Sequence, residues 1–269
     1  GVPGVFLPAI KEIHYYSELC DKRVARYSVR QRERKTTSTR SYWQKVKFAV
    51  ADRKTKRDRR LGELEHLRSG AFDDNWYGGI FGFAREDDVC GEICPSYMIM
   101  PQEGIDHVFR LNPDAKIIII VRDPVARAWS HLRVTHEPEK LTAIAESDDL
   151  DRALRVFVEY TDYASAIPRW RSAAKVGNVR VQLFDDVISD PIATLDGLAE
   201  FMGLGQVKKW PRAQQASHKG KPFPMPERIR AALLEKLTPQ YEFLAGEFPE
   251  RVGAWLSKHD PDRAAATTG

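Results

Sequence analysis

Ala115 to Leu132 constrains the fold more than any other stretch of the chain. Ile117–Val121 is a β-branched run bounded by polar residues and too short for a helix of its own. That is the pattern of a parallel strand buried on both faces. Arg122 closes the strand. Asp123 is a good N-cap, and Pro124 suits a first helical position, where the N–H it lacks would have no intrahelical partner. The spacing predicts a strand, a tight turn and a helix, with an arginine fixed at the turn. Helix N-terminal N–H groups and a guanidinium aimed at one point would hold an anion, most naturally a phosphate. Ser130, eight residues beyond Arg122, would add a hydroxyl from the helix. An ordinary βα unit whose Arg122 pairs with a nearby carboxylate fits the same residues equally well.

At 269 residues and 42% hydrophobic, the chain can bury a full core, and its length suits one large α/β domain better than two small ones. No apolar run approaches the roughly 18 residues of a membrane span. The apolar stretch Val2–Ile10 is interrupted by prolines and followed by Lys11-Glu12, unlike a signal peptide. Three cysteines do not suggest a disulfide framework, and Cys90 and Cys94 have no second Cys or His pair at metal-ligand spacing. These features predict a cytoplasmic chain with no metal and no stable membrane insertion.

The charge is unevenly placed. Residues 21–60 hold 16 Lys/Arg against 4 Asp/Glu, a local charge of +12 in a chain whose total is +4. Such a block is a solvated helix face, a mobile arm or a surface for a polyanion. No recognised nucleic-acid motif accompanies it, so nucleic acid is not an expected partner. An acidic polysaccharide or anionic lipid would satisfy the same charges.

No internal repeat or Gly/Ser linker divides the chain. Residues 1–20 read as extended chain and 21–70 as basic helices. A loop with Asp73, Asp74, Trp76 and Tyr77 follows, then a short strand at 88–92 and a helix at 101–111. After the strand at 116–121, the periodicity predicts helices at 124–136 and 148–174, the second carrying Leu154, Phe157, Val158 and Tyr163. A strand at 179–184, a helix at 191–202 closed by Gly203, and one or two helices at 226–257 complete the pattern. Residues 258–269 read as a disordered tail. Strands alternating with helices imply a parallel sheet covered by helices on both faces.

Four separated segments share one explanation: Val5–Tyr16 with its Lys11-Glu12-Ile13-His14, Gly91–Tyr97, Arg122 with Ser130, and Ser217–Pro224. In order and spacing, from Val5 to about Leu256, they resemble the sulfotransferase superfamily. The look is nearest to its carbohydrate branch, the heparan-sulfate-type enzymes and their bacterial relatives. Phe184–Pro191, leading into a helix that ends Phe201-Met-Gly-Leu204, resembles the family's later strand and helix. The resemblance implies a single domain over residues 1–257 with a P-loop-kinase-like sheet. It also implies 3′-phosphoadenosine 5′-phosphosulfate (PAPS) as sulfuryl donor, PAP as product and no metal.

Residue by residue, the resemblance gives Arg122 and Ser130 the 3′-phosphate of the nucleotide, which an arginine fork plus a hydroxyl suits chemically. Lys219, Gly220 and Lys221 match a loop that closes over the same phosphate, where glycine lets backbone N–H groups approach. Glu12 matches the base that takes the acceptor's proton, worth roughly 10²–10⁴-fold in rate. In extended chain His14 would face the same side as Glu12 and orient the acceptor or stabilise the moving sulfate. Lys11 and Tyr97 are expected acceptor contacts. Where relatives can place a basic residue within Gly91–Tyr97, this chain has Ile93 and Cys94, a departure from the heparan-type pattern.

The family's Gly-x-x-Lys-x-Gly-Thr-Thr loop, which cradles the 5′-phosphosulfate, has no counterpart in the sequence, and the expectation is that it is omitted. Weak nucleotide binding and little or no turnover are expected only if the chain truly begins without that loop. The acceptor expected is a glycan, glycolipid or small metabolite with a hydroxyl or amine, and the basic block suits an anionic one. Two alternatives stay open: a non-catalytic PAP-binding protein of the same fold, and a P-loop nucleotide kinase, for which neither Gly-x-x-x-x-Gly-Lys-Ser/Thr nor a Mg²⁺-binding acid is visible.

Overall fold

The computed structural model describes residues 4–20, 54–69, 72–205, 207, 210, 213 and 223–259. The chain forms two compact units, residues 1–115 with 196–210 and residues 116–195 with 211–269.

In the first unit Val5–Phe6 (β1) and Val89–Cys90 (β2) pair in parallel, Val5 opposite Val89 and Phe6 opposite Cys90. Its helices are Tyr15–Cys20 (α1), Lys54–Ser69 (α2), Asp74–Phe81 (α3) and Gln102–Leu111 (α4), with a 3-10 turn at Pro95–Ile99. The core here is aromatic. Tyr15 stacks on Tyr77 with centroids 4.5 Å apart, and Tyr16, Phe72 and Trp76 pack against the pair.

Two expectations fail in this unit. Residues 15–20 are helical rather than extended, because Tyr15 and Tyr16 find a buried aromatic surface, and tertiary packing overrides local propensity. Residues 74–81 are helical rather than loop, started by the Asp73 carboxylate, which accepts from the Trp76 N–H at 2.8 Å. Gly78-Gly79 obscures that helix in the sequence. Gly79 has a steric reason to be there, since a Cβ would stand 2.6 Å from the His66 ring.

In the second unit Ile117–Val121 (β3) and Val179–Leu183 (β4) run parallel, with Ile117 opposite Val179 and Val121 opposite Leu183. Around the ladder lie Pro124–Thr135 (α5), Pro138–Ala145 (α6), Leu150–Glu159 (α7), Tyr163–Ala173 (α8) and Phe184–Ser189 (α9). Pro191–Met202 (α10), whose residues from Asp196 on belong to the first unit, ends at Gly203, whose φ of 79° is the left-handed stop expected of a glycine there. Glu227–Ala245 (α11) and Pro249–His259 (α12) follow. Along β3, Ile119 and Val121 are buried, whereas Ile120 is half exposed, so full burial of both faces does not hold at that residue.

The helix expected over 148–174 is two helices. Asp162 breaks it by capping α8 through the Ser165 N–H at 3.1 Å, and the same carboxylate accepts from Gln240 Nε2 at 3.1 Å. Gln240 returns its own Oε1 to the Ala164 N–H at 2.8 Å. Helix α6, at 138–145, was absent from the periodicity reading, and Phe184 opens α9 instead of extending β4. Helix α12 takes in Lys258 and His259, two residues of the expected tail, while 260–269 lie outside the described residues. Most of the basic block, 21–53, lies outside them too. No helix among the described residues is long and apolar enough to cross a membrane.

Candidate active site

In the first unit the segment from Ala9 to His14 is tied down from two sides. Ala9 donates its N–H to the buried Glu63 carboxylate of α2, and Glu12 donates its N–H to the Ile93 carbonyl at 3.2 Å. Between Glu12 and His14, Ile13 is almost wholly buried. The segment is not the extended chain expected. Glu12 and His14 both take left-handed backbone, with φ of 59° and 62°. Non-glycine residues rarely hold that conformation, at a cost on the order of 1–3 kcal/mol each, and they persist in it only where the surroundings over-determine the backbone.

The two side chains nonetheless come together, although His14 is buried behind Glu12 and does not face an acceptor beside it. Glu12 Oε2 lies 3.5 Å from His14 Nε2, with the carboxylate 41% exposed and the imidazole 7% exposed. A solvent-facing acid backed by a buried imidazole can take a proton from an acceptor while its orientation is held from behind. The other imidazole nitrogen, Nδ1, is 2.8 Å from the Ser96 hydroxyl and 3.3 Å from the Cys94 thiol. Ser96 also meets the Ser17 hydroxyl at 2.9 Å. Burial pushes the Cys94 thiol up to about 12, so it stays a thiol here.

Beside this network is a carboxyl that the sequence reading missed. Glu92 Oε1 accepts from the Tyr97 hydroxyl at 2.5 Å and from the Tyr77 hydroxyl at 2.8 Å. Its Oε2 is shut off from solvent and has no hydrogen-bond partner among the described residues. Burial raises the Glu92 pKa, and the two phenols oppose the shift. Tyr97, an expected acceptor contact, has its hydroxyl committed to Glu92. Lys11 is exposed, and Ile93, at the position of the departure, is 55% exposed. The only sequence signal for Glu92 is its place in the Gly91–Tyr97 motif, since Tyr77 reaches it from a separate helix.

In the second unit the strand–turn–helix forms as predicted, and Asp123 caps α5. Its carboxylate accepts from the N–H groups of Val125 at 3.1 Å and Ala126 at 3.3 Å. This corrects one part of the anion-site expectation. Those helix-terminal N–H groups are taken by Asp123, so capacity for an anion rests on the guanidinium. Arg122 stands 4.9 Å over the Phe184 ring and forms no ion pair among the described residues. Burial pulls its pKa down. The carboxylates of Asp123 and Asp185 act on it electrostatically without forming an ion pair. Ser130 lies two turns along α5 from Asp123, on the same helix face and half-buried. Lys219, Gly220 and Lys221 lie outside the described residues.

The architecture, helices packed with short parallel ladders, is the α/β sulfotransferase fold. A crystal structure of a sulfotransferase from Alicyclobacillus acidocaldarius superposes with a TM-score of 0.59 at 19% identity, covering 94% of this chain and 89% of that one. The profile described as "Sulfotransferase family" matches residues 11–208. The chain belongs to the sulfotransferase family. It is similar to mouse heparan sulfate glucosamine 3-O-sulfotransferase 6, 24% identical over 72% of this chain and 64% of that protein. It is also similar to the mouse 3A1 enzyme of the same name, 26% identical over 55% of this chain and 42% of the relative. The chain thus spans between two fifths and two thirds of the length of these relatives.

Proposed function

We propose that the protein moves a sulfuryl group from PAPS to a hydroxyl or amine of an acceptor, with residues 1–257 acting as one catalytic domain. The observation that carries this reading is the left-handed Glu12–His14 pair, which sets a part-exposed carboxylate against a buried imidazole. Family membership supports it. The acceptor's oxygen or nitrogen bonds to sulfur as the bond from sulfur to the 5′-phosphate oxygen breaks, PAP leaves, and the acceptor's proton passes to Glu12. Holding the reactants in line supplies most of the acceleration, as in phosphoryl transfer. Arg122, with Ser130, grips the 3′-phosphate, and Lys219, Gly220 and Lys221 close over it. The chemistry of this donor set suits the group, because an uncommitted guanidinium and a hydroxyl read a phosphate dianion directly.

The acceptor is a glycan, by likeness to relatives named for glucosamine 3-O-sulfation. Ile93 makes the surface beside Glu12 apolar at that point. The basic block 21–60 attracts an anionic acceptor, and reversing Arg30, Arg32 and Arg34 to Glu is expected to weaken activity and flatten its salt dependence.

Calorimetric titration with PAP and with ADP tests the nucleotide half of the proposal. A preference for PAP of about 100-fold, roughly 2.7 kcal/mol, is expected. Equal binding would refute the 3′-phosphate site. Transfer of labelled sulfate from PAPS across an acceptor panel tests the other half, and PAP binding without any transfer would favour a non-catalytic binding protein.

A further inference from the structure

We propose that His259, at the end of α12, is a positioning residue for the anion turn: its imidazole holds the Asp123 carboxylate, and Asp123 sets the backbone from which Arg122 projects. This rests on the reading of Arg122 as the 3′-phosphate residue and adds the C-terminal helix to the nucleotide site.

The geometry is local to the second unit. His259 Nε2 is 2.7 Å from Asp123 Oδ2, with the two side chains 11% and 8% exposed. The other oxygen, Oδ1, accepts from the Tyr241 hydroxyl at 2.7 Å and from the two capped N–H groups of α5. The Tyr241 oxygen in turn accepts from the Val125 N–H at 3.3 Å. Among the described residues Oδ2 is held by His259 alone, and without that residue a buried carboxylate oxygen loses its partner. The end of α12 is itself fixed, since Arg230 of α11 donates to the His259 carbonyl and pairs with Glu227. On the other side of the turn, the Arg122 N–H donates to the Tyr163 hydroxyl at 3.2 Å.

Helix capping alone does not need this arrangement. A serine or an exposed aspartate would cap α5 as well. A carboxylate locked on both oxygens by side chains more than a hundred residues away fixes the turn against rotation. Arg122 carries no ion pair among the described residues, so the direction of the fork is set by the backbone it leaves from together with the Phe184 ring beside it. A ligand grip that depends on one fork loses affinity steeply when the fork is misplaced.

The test is a set of three variants, His259→Ala, His259→Gln and His259→Asn, titrated with PAP and with ADP beside the unaltered protein, with thermal unfolding followed in parallel. A glutamine amide reaches about where Nε2 stands, whereas an asparagine amide stops near Nδ1. Expected is a loss of about tenfold in PAP affinity for Ala and Asn, with ADP affinity unchanged and PAP binding recovered by Gln, the size following from misplacement of a binding group. Equal PAP affinity across the unaltered protein, Asn and Gln would overturn the proposal, as would a parallel loss of PAP and ADP binding. Should the Ala protein not fold, the Asn–Gln contrast decides alone. If the unaltered protein itself shows no preference for PAP, the assignment of Arg122 fails first and this proposal with it.

Discussion

The two functional regions of this protein are built in opposite ways. The turn around Arg122 is regular, with a strand closed by an arginine, an aspartate cap and a proline at the first helical position. The segment around Glu12 is irregular, two left-handed residues held by contacts from α2 and from the chain near Ile93. A binding group needs only a fixed direction, which local backbone rules supply. A proton-accepting group needs exposure on one side and rigidity on the other, and that combination takes strain and long-range contacts.

If that contrast is right, the largest effect comes from the irregular region. Glu12→Gln is expected to lower kcat by about 10²–10⁴-fold with PAP affinity unchanged, since it removes the base and keeps the shape. Steady-state kinetics with calorimetry checks this, and an active Gln protein would move the base elsewhere. Strain makes a subtler signature. Glu12→Gly is expected to be more stable than Glu12→Ala by about 1 kcal/mol, because glycine holds a φ of 59° freely. Equal unfolding midpoints in urea would mean the left-handed backbone is not retained.

In the regular region the effects are smaller. Ser130→Ala is expected to weaken PAP binding by about 0.5–1.5 kcal/mol, the net worth of one hydrogen bond, and to leave ADP binding alone.

His131, on the same helix, gives the turn's unit an acid sensitivity. Burial among Phe157 and Tyr160, with Arg127 adding repulsion, pulls its pKa down to about 4. The unfolded chain therefore binds this proton first, and stability falls as pH drops from about 6.5 towards 4. His131→Gln should flatten that limb by on the order of 1 kcal/mol, partial exposure screening the rest, as read by unfolding at pH 7 and pH 4.5.

The same contrast explains what could be read from the residues. The β3–α5 unit was legible because strand pattern, cap and proline act within a dozen residues. That Glu12 and His14 lie on one side was expected for a wrong reason. Extended chain was expected to align them, and left-handed backbone does so instead. Glu92 was illegible because its phenol partners Tyr77 and Tyr97 come from separate elements. The occupied N–H groups of α5 were missed by treating Asp123 as a cap and as an open anion site at once. The split at Tyr160–Asp162 was hidden because apolar residues run on through Val158 and Tyr163, although the buried stripe moves from Leu150, Leu154 and Phe157 in α7 about half a turn round to Ala166, Ile167 and Trp170 in α8. The Asp162 cap on the Ser165 N–H and the tertiary bond from Asp162 to Gln240 mark the break.

That break bears on how the protein tolerates changes in length. Surface connections normally accept an inserted residue, since few contacts cross them. Here Asp162 caps one helix while bonding another, and the next residue, Tyr163, carries the hydroxyl that receives the Arg122 N–H. An extra residue between Tyr160 and Asp162 keeps every side chain and still displaces this phenol, so this short connection, buried at Thr161, is as intolerant of insertion as a core strand.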